Sequence, residues 1–154
     1  YADTLTGDGN ANTITAGYGN DIVQGGLGND TLIGGNGVDT VSYSSATAAI
    51  TFSLATTAAQ NTVNAGTDTV SGFENILGSG FNDTLTGSSA ANTINGGAGN
   101  DLIVGGLGAD ILTGGLGADT FQFLSTGLDA NFDRITDFGT AQADKIDVKN
   151  ILLI

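Results

Sequence analysis

The sequence contains no cysteine, histidine, proline, methionine or tryptophan. The absence of cysteine excludes disulfide bonds, iron–sulfur clusters and thiol nucleophiles. The absence of histidine removes a required part of the usual zinc sites and of Ser-His-Asp triads, and the chain has no GxSxG or P-loop motif. Without proline and a glycine at every third position, the chain cannot be collagen. We therefore expect a protein that is not an enzyme.

Basic residues are scarce as well. Three Lys and Arg stand against 16 Asp and Glu, which gives a formal net charge of −13. Nucleic acid and membrane insertion are not expected, because nucleic acids and anionic membranes need a basic face and no apolar run approaches about 18 residues. Hydrophobic residues make up 40% of the chain, enough for a core and more than a disordered acidic tail would carry. Cations are the expected partners.

Glycine accounts for 26 of the 154 residues, and the glycines accompany a repeat with a period of nine. Aspartate or asparagine recurs at this period in two blocks, and an apolar residue stands two positions after each of them. Such a phased repeat indicates one structural unit for every nine residues. The repeated positions are Asp3, Asn12, Asp21, Asp30 and Asp39, and then Asp83, Asn92, Asp101, Asp110 and Asp119.

Each repeat combines a glycine-rich turn with a short strand, as in residues 25–30 followed by Thr31-Leu32-Ile33. Glycine lets the backbone turn through positive φ at little steric cost. Three residues suffice for one short strand whose middle side chain points inward. Two repeats then complete a coil of 18 residues, with turns on both edges and two parallel sheets around a thin core. The predicted fold class is an all-β parallel β-solenoid.

Stacked coils place the acidic residues of alternate repeats on one edge, about 4.8 Å apart. Carboxylates this close repel one another unless a cation lies between them. Oxygen donors without His or Cys favour Ca²⁺, and an irregular cage rich in carbonyls suits it better than Mg²⁺. For each of these aspartates and asparagines the alternative is a solvated turn residue that caps its own loop. We predict about six calcium ions, which join Asp3 with Asp21, Asn12 with Asp30, Asp21 with Asp39, Asp83 with Asp101, Asn92 with Asp110, and Asp101 with Asp119.

The second and fourth glycines of the turns complete these predicted sites, because their backbone can approach a bound ion closely. At the start of the second block Ser79 and Ser88 dilute the glycines, and Phe81 and Ala90 replace the fourth glycine, so weaker binding is expected there. Asp8 replaces a second glycine and is interpreted as a turn residue only. The glycines of the predicted sites are Gly17, Gly19, Gly26, Gly28, Gly35, Gly37, Gly97, Gly99, Gly106, Gly108, Gly115 and Gly117.

The repeat resembles the GGxGxDxUx nonapeptide of the RTX (repeats-in-toxin) calcium-binding family, over residues 1–42 and 72–122. The resemblance implies a β-roll that is unfolded at low calcium and folds outside the cell on binding several Ca²⁺ ions. It also implies export by a type I secretion channel, and hence a secreted, extracellular or cell-surface location. Because the chain begins at Tyr1 and not at Met, we expect it to belong to a larger protein, whose secretion and folding the module would support.

Four segments are expected along the chain. Residues 1–42 form the first RTX block, 43–71 intervening solenoid coils with a loop around 55–64, 72–122 the second block and 123–154 a C-terminal cap. The cap is expected to be a strand or hairpin from residues 133–138 and 144–148. Two independent rolls joined by a tether are the alternative. Asp68 and Glu74 are candidates for further ligands, and Ile151–Ile154 is either a cap strand or part of an export signal.

Two other functions are compatible with the sequence. One is an adhesin or surface-layer assembly module. The other is a non-catalytic part of a secreted protease, lipase or epimerase, enzymes found among the proteins that the repeat resembles. The expected outward face carries several apolar residues, which either support self-association or are covered by the intervening segment or the tail. These residues are Ile22, Ile33, Leu102, Val104 and Ile111.

Overall fold

The computed structural model describes residues 1–62, 65–124, 131–140 and 142–149. Within these residues the chain forms sixteen short strands and no α-helix, which confirms the predicted all-β fold class. The strands are β1 (Thr4–Thr6), β2 (Thr13–Tyr18), β3 (Ile22–Gln24), β4 (Thr31–Asn36), β5 (Thr40–Ser42), β6 (Thr51–Ser53), β7 (Gln60–Asn61), β8 (Thr67–Ser71), β9 (Asn75–Leu77), β10 (Thr84–Thr86), β11 (Thr93–Ala98), β12 (Leu102–Val104), β13 (Ile111–Leu116), β14 (Thr120–Leu124), β15 (Arg134–Ile135) and β16 (Lys145–Lys149).

The strands build the two faces of one parallel solenoid. One face is a seven-stranded sheet in the order β1-β3-β5-β9-β11-β13-β15. The opposite face consists of a four-stranded sheet, β2-β4-β8-β7, and a five-stranded sheet, β6-β10-β12-β14-β16. Thr4 pairs with Ile22 and Thr13 pairs with Thr31, so one regular coil takes 18 residues, as predicted. Only the short β7, among the described strands, is antiparallel to its neighbour.

Four strands, β2, β4, β11 and β13, have six residues and exceed the predicted length of three. Their parallel pairing continues into the glycine turn, where Gly17 pairs with Gly35 and Gly97 with Gly115. The turns of successive coils are therefore stacked in register. This register matters for the site, because it brings equivalent turn atoms of neighbouring coils together.

Most of the core consists of the second residue of a strand, as the alternation of strand side chains predicts, and other residues in or near the strands complete it. Leu32, Leu85, Ile103 and Leu112 have no exposed surface. Both blocks and the intervening segment contribute to one hydrophobic cluster, so the described parts of the chain share a core. Its buried members are Val23, Leu32, Val41, Tyr43, Ile50, Phe52, Ala65, Val70, Phe73, Ile76, Leu85, Ile94, Ile103, Leu112 and Phe121.

The intervening segment changes the order of the strands. β8 pairs with β4, whereas β6, which precedes it in the chain, pairs with β10 further along the solenoid. The Gln60 side chain covers the other edge of β6: it donates to the Ser53 carbonyl and accepts from the Ser53 N–H, both at 2.8 Å. A side-chain amide carries the donor and the acceptor of a peptide group. Gln60 therefore substitutes for a neighbouring strand at this point.

In the C-terminal segment, for which a capping strand or hairpin is expected, the described residues include two strands, β15 and β16. β15 adds in parallel to β13 on one face, and β16 adds in parallel to β14 on the other. Each of them thus continues the solenoid and covers the last regular coil. Val63 and Asn64 of the predicted loop, and Ile151–Ile154 with its two predicted roles, lie outside the described residues.

No helix long and apolar enough to cross a membrane occurs in the part of the chain that the structure describes.

The core position Leu112 provides a test of this packing. Leu112→Ala is expected to lower the free energy of unfolding by about 2–5 kcal/mol, because it removes a fully buried side chain and leaves a cavity. The neighbouring Ile111 is 40% exposed, and Ile111→Ala serves as the control, with a loss well below that of Leu112→Ala. Urea unfolding in excess calcium measures both. Equal losses would contradict the described orientation of β13.

Candidate metal centre

We call rung residues the residues that stand immediately before the parallel strands, together with Asp68, which lies inside β8 and is aligned with Asp30 by the pairing of Thr31 with Thr69. They line the two edges of the molecule. Along the seven-stranded sheet they are Asp3, Asp21, Asp39, Glu74, Asn92, Asp110 and Asp133. Along the opposite face they are Asn12, Asp30 and Asp68, and then Ile50, Asp83, Asp101, Asp119 and Asp144.

Successive rung residues are joined by a hydrogen bond from backbone to side chain. The backbone N–H of Asp3 donates to Oδ1 of Asp21 at 2.8 Å, and the N–H of Asp101 donates to Oδ1 of Asp119 at 2.9 Å. Equivalent bonds at 2.8 Å connect Asn12 with Asp30, Asp21 with Asp39, Asp83 with Asp101, and Asn92 with Asp110. The structure therefore brings together the two members of each of the six predicted pairs.

The second carboxylate oxygen, Oδ2, has no donor at several rung residues. In the described part of the chain, Oδ2 is buried and accepts no hydrogen bond at Asp21, Asp30, Asp39, Asp101 and Asp119. These residues are at most 2% exposed. Asp110 is buried to the same degree and accepts the Asn92 N–H through Oδ1. A buried carboxylate oxygen without a donor is costly, so these positions call for a cation.

The glycine turns around these carboxylates leave room for backbone oxygens. The second and fourth glycines of the six regular turns have φ between +98° and +149°. A Cβ added to Gly35 would overlap the carbonyl oxygen of Gly17 in the previous coil, and one added to Gly115 would overlap that of Gly97. Only glycine therefore permits this approach. The regular turns are those before Asp21, Asp30, Asp39, Asp101, Asp110 and Asp119.

These donors fit calcium. No three acidic side chains converge on one point within the described ranges, so a cation here needs carbonyl oxygens as well as carboxylates. Ca²⁺ takes six to eight oxygen ligands, including backbone carbonyls, in a flexible geometry. The buried Oδ2 atoms and the carbonyls of the stacked glycine turns supply this kind of donor.

Burial perturbs the carboxylates of this site. It raises the pKa of Asp101 to about 6, and the charges of Asp83 and Asp119 contribute to the rise. Burial also raises the pKa of Asp119, where Asp144 and Asp137 add their charges. A cation between the coils would counteract both shifts, because a nearby positive charge favours the ionised carboxylate.

Three turns differ from the regular ones. At Asp83 the Ser79 N–H donates to Oδ2 at 2.6 Å, and the Ser79 hydroxyl donates to Oδ1 at 2.7 Å. Ser88 donates its N–H to Oδ1 of Asn92 at 2.6 Å, and Asp8 donates its N–H to Oδ1 of Asn12 at 2.8 Å. The sequence shows that these turns lack the second and fourth glycines, but it does not show that the replacing residue donates to the rung residue.

Asp68 and Glu74 both continue the rows of rung residues. Oδ1 of Asp68 accepts the Asp30 N–H at 3.0 Å, and Oδ2 accepts the Tyr43 hydroxyl at 3.2 Å. Burial raises the pKa of Asp68, and the charge of Asp30 adds to this rise. Oε2 of Glu74 accepts the Asp39 N–H at 2.8 Å. Neither carboxylate repeats the arrangement of the regular turns.

The sequence predicts Asp133 and Asp144 only as parts of the cap, whereas in the structure both are rung residues. Asp133 accepts the Asp110 N–H and Asp144 accepts the Asp119 N–H, both at 3.0 Å. An apolar residue stands two positions after each, as it does in the regular repeats. This spacing of an aspartate and an apolar residue could have identified both positions from the sequence, although the glycines that normally accompany it are missing.

The sequence profile of the RTX calcium-binding nonapeptide repeat (4 copies) matches residues 6–41, 68–101 and 86–121. These ranges cover more than half of the chain and contain all six regular turns. No curated protein sequence matches the chain.

The glycine requirement can be tested at one turn. Gly35→Ala is expected to cost more than about 1 kcal/mol of stability in excess calcium, because φ is +114° there and the new methyl group overlaps the Gly17 carbonyl. Gly80→Ala is the control, since nothing lies within 4 Å of a Cβ at Gly80. Thermal unfolding compares the two variants. A Gly35→Ala protein as stable as Gly80→Ala would contradict the described turn.

Proposed function

The chain belongs to the RTX calcium-binding nonapeptide repeat family, and on this premise we propose that it is a module of a secreted protein that folds when it binds calcium. It is a calcium-binding module with a parallel β-solenoid fold. The observation that supports the proposed switch is the set of buried Oδ2 atoms without donors, which a bound cation would satisfy in the folded state.

The ions lie between the turns of the six predicted pairs. In each pair the carboxylate of the later residue and the carbonyls of the stacked glycine turns supply the oxygens. About six divalent ions carry roughly +12, which nearly balances the formal net charge of −13. Calcium supplies the positive charge that the three basic residues cannot.

Metal-free chain is expected to remain unfolded, for two reasons. Folding would bury carboxylates of like charge next to one another, as in the row Asp83, Asp101 and Asp119. The 26 glycines also lose more backbone entropy on ordering than other residues do. With calcium present, the binding free energy becomes folding free energy. Extracellular calcium modules bind at about 10⁻⁴ to 10⁻³ M, so the chain would stay open in the cytosol and fold outside the cell.

The same switch suits export through a type I secretion channel, which passes unfolded chains. RTX repeats are typical of secreted proteins, and this supports a secreted or cell-surface location. Folding on the outside would then assist the extracellular folding of the larger protein. We assign no catalysis to the module itself, because the regular acidic residues are rung residues held by the backbone of a neighbouring coil. Hydrolysis or epimerisation by the isolated chain would contradict this part of the proposal.

A calcium titration followed by circular dichroism tests the proposal. Starting from chelator, the wild-type chain is expected to gain strand signal with calcium and to respond much less to magnesium. Asp30→Ala should need more calcium, because it removes a buried carboxylate of a regular turn. Asp147→Ala, which removes the same charge from a solvent-accessible strand residue paired with Lys149, should titrate like the wild type.

A full strand signal in chelator would contradict the switch, and an equal response to magnesium would contradict the choice of metal. Sedimentation of the calcium-loaded chain at several concentrations addresses the assembly alternative. The proposed module stays monomeric on adding calcium, whereas an adhesin or surface-layer element would assemble.

A further inference from the structure

Five rung residues accept a hydrogen bond from a protein group on the side-chain oxygen that would otherwise face a cation, and they stand at ends of three of the four runs of regular turns. Asn12, Asp83 and Asn92 precede the regular turns of their edge, and Asp68 and Asp144 follow them. These five end positions thus have a protein donor where Oδ2 of the regular rung residues Asp21, Asp30, Asp39, Asp101 and Asp119 accepts no hydrogen bond in the described part of the chain.

At Asn12, Asp83 and Asn92 a local turn positions the hydrogen-bond donor. The Ser79 hydroxyl oxygen accepts the Phe81 N–H at 3.1 Å, and this turn directs the Ser79 N–H at Oδ2 of Asp83. Ser88 repeats the arrangement with the Ala90 N–H at 3.1 Å. At Asp8 the carboxylate oxygen Oδ1 takes the place of the hydroxyl and accepts the Asn10 N–H at 2.8 Å. In the regular turns a glycine at φ near +100° holds the position of Ser79, as Gly97 does at φ +105°.

At Asp68 and Asp144, which follow the regular turns, other groups donate the hydrogen bond. Oδ2 of the buried Asp68 accepts the hydroxyl of Tyr43 at 3.2 Å, and Oγ1 of Thr62 lies 3.4 Å from the same oxygen. Oδ2 of Asp144 accepts the Gly139 N–H at 2.7 Å. The donors differ from those of the leading ends, but they satisfy the same kind of oxygen.

These donors are incompatible with a cation at the same place. A backbone N–H carries a partial positive charge and has no lone pair, so it repels a metal ion and cannot coordinate it. Asp83 accepts bonds from the Ile50 N–H, the Ser79 N–H and the Ser79 hydroxyl, at 2.6 to 2.9 Å. An ion that used this carboxylate would compete with these donors, which occupy three of its roughly four lone-pair sites.

We propose that Asp8, Ser79, Ser88 and Tyr43 act as built-in substitutes for calcium that end three of the four rows of ions and exclude ions from the side chains of Asp68, Asp83 and Asn92 at the junction between the two blocks. The inference rests on the ion positions given under Proposed function. On this inference the side chains of Asn12, Asp83 and Asn92 are not calcium ligands, because protein donors occupy their oxygens. The turns before these residues contribute only backbone oxygens to the ion on the next coil. The junction at Asp68, Asp83 and Asn92 is thus joined by protein hydrogen bonds alone.

The number of bound ions tests the inference in two matched pairs of variants. Asp101→Asn and Asp83→Asn change adjacent buried aspartates of one edge, and Asp30→Asn and Asp68→Asn do the same in the first block. Native mass spectrometry at saturating calcium counts the ions, and circular dichroism confirms that each variant is folded. Asp101→Asn and Asp30→Asn are expected to lose one ion each, and Asp83→Asn and Asp68→Asn to keep the wild-type number.

The outcomes separate the inference from the proposal beneath it. If a folded Asp83→Asn or Asp68→Asn chain loses an ion, as Asp101→Asn and Asp30→Asn are expected to, the end residues are ligands and the inference is overturned. If all four variants keep the wild-type number, the proposed ion positions are wrong and the inference falls with them. The two pairs lie in different blocks, so one pair decides if a variant of the other fails to fold.

Discussion

The fold depends on a buried carboxylate that is only half satisfied by the protein. One oxygen of each regular rung residue accepts the backbone N–H of the previous coil, which fixes the spacing of the coils. The other oxygen is held against a glycine turn; at Asp21, Asp39 and Asp119 it has no protein donor in the described part of the chain. The same side chain thus stabilises the stack and creates its need for a cation. Stability and metal binding are therefore inseparable at these positions.

Much of this arrangement follows from the repeat. A period of nine with an inward apolar residue predicts the coil of 18 residues, and the structure pairs Leu5 with Val23 and Ile14 with Leu32 accordingly. The acidic pairs follow from the same register. These features are predictable because stacking equivalent turns brings the inward apolar residues of successive coils into one core.

The contacts that the sequence does not predict are made by residues that take the place of a neighbouring strand or of a metal ion. Gln60 covers an edge of β6, and Ser79 directs its N–H at Asp83. No periodic pattern announces such contacts, because each arises from one residue whose partner is fixed only after the coils are stacked. The exchange of β6 and β8 has the same origin, since local sequence does not determine which of two neighbouring strands a returning segment joins.

Anomalous scattering from a calcium-loaded crystal tests the central claim most directly. The account predicts a peak between successive turns beside the Oδ2 atoms of Asp21, Asp30, Asp39, Asp101 and Asp119, which have no donor in the described structure. Carboxylates that turn toward solvent, with no anomalous density between the coils, would contradict it.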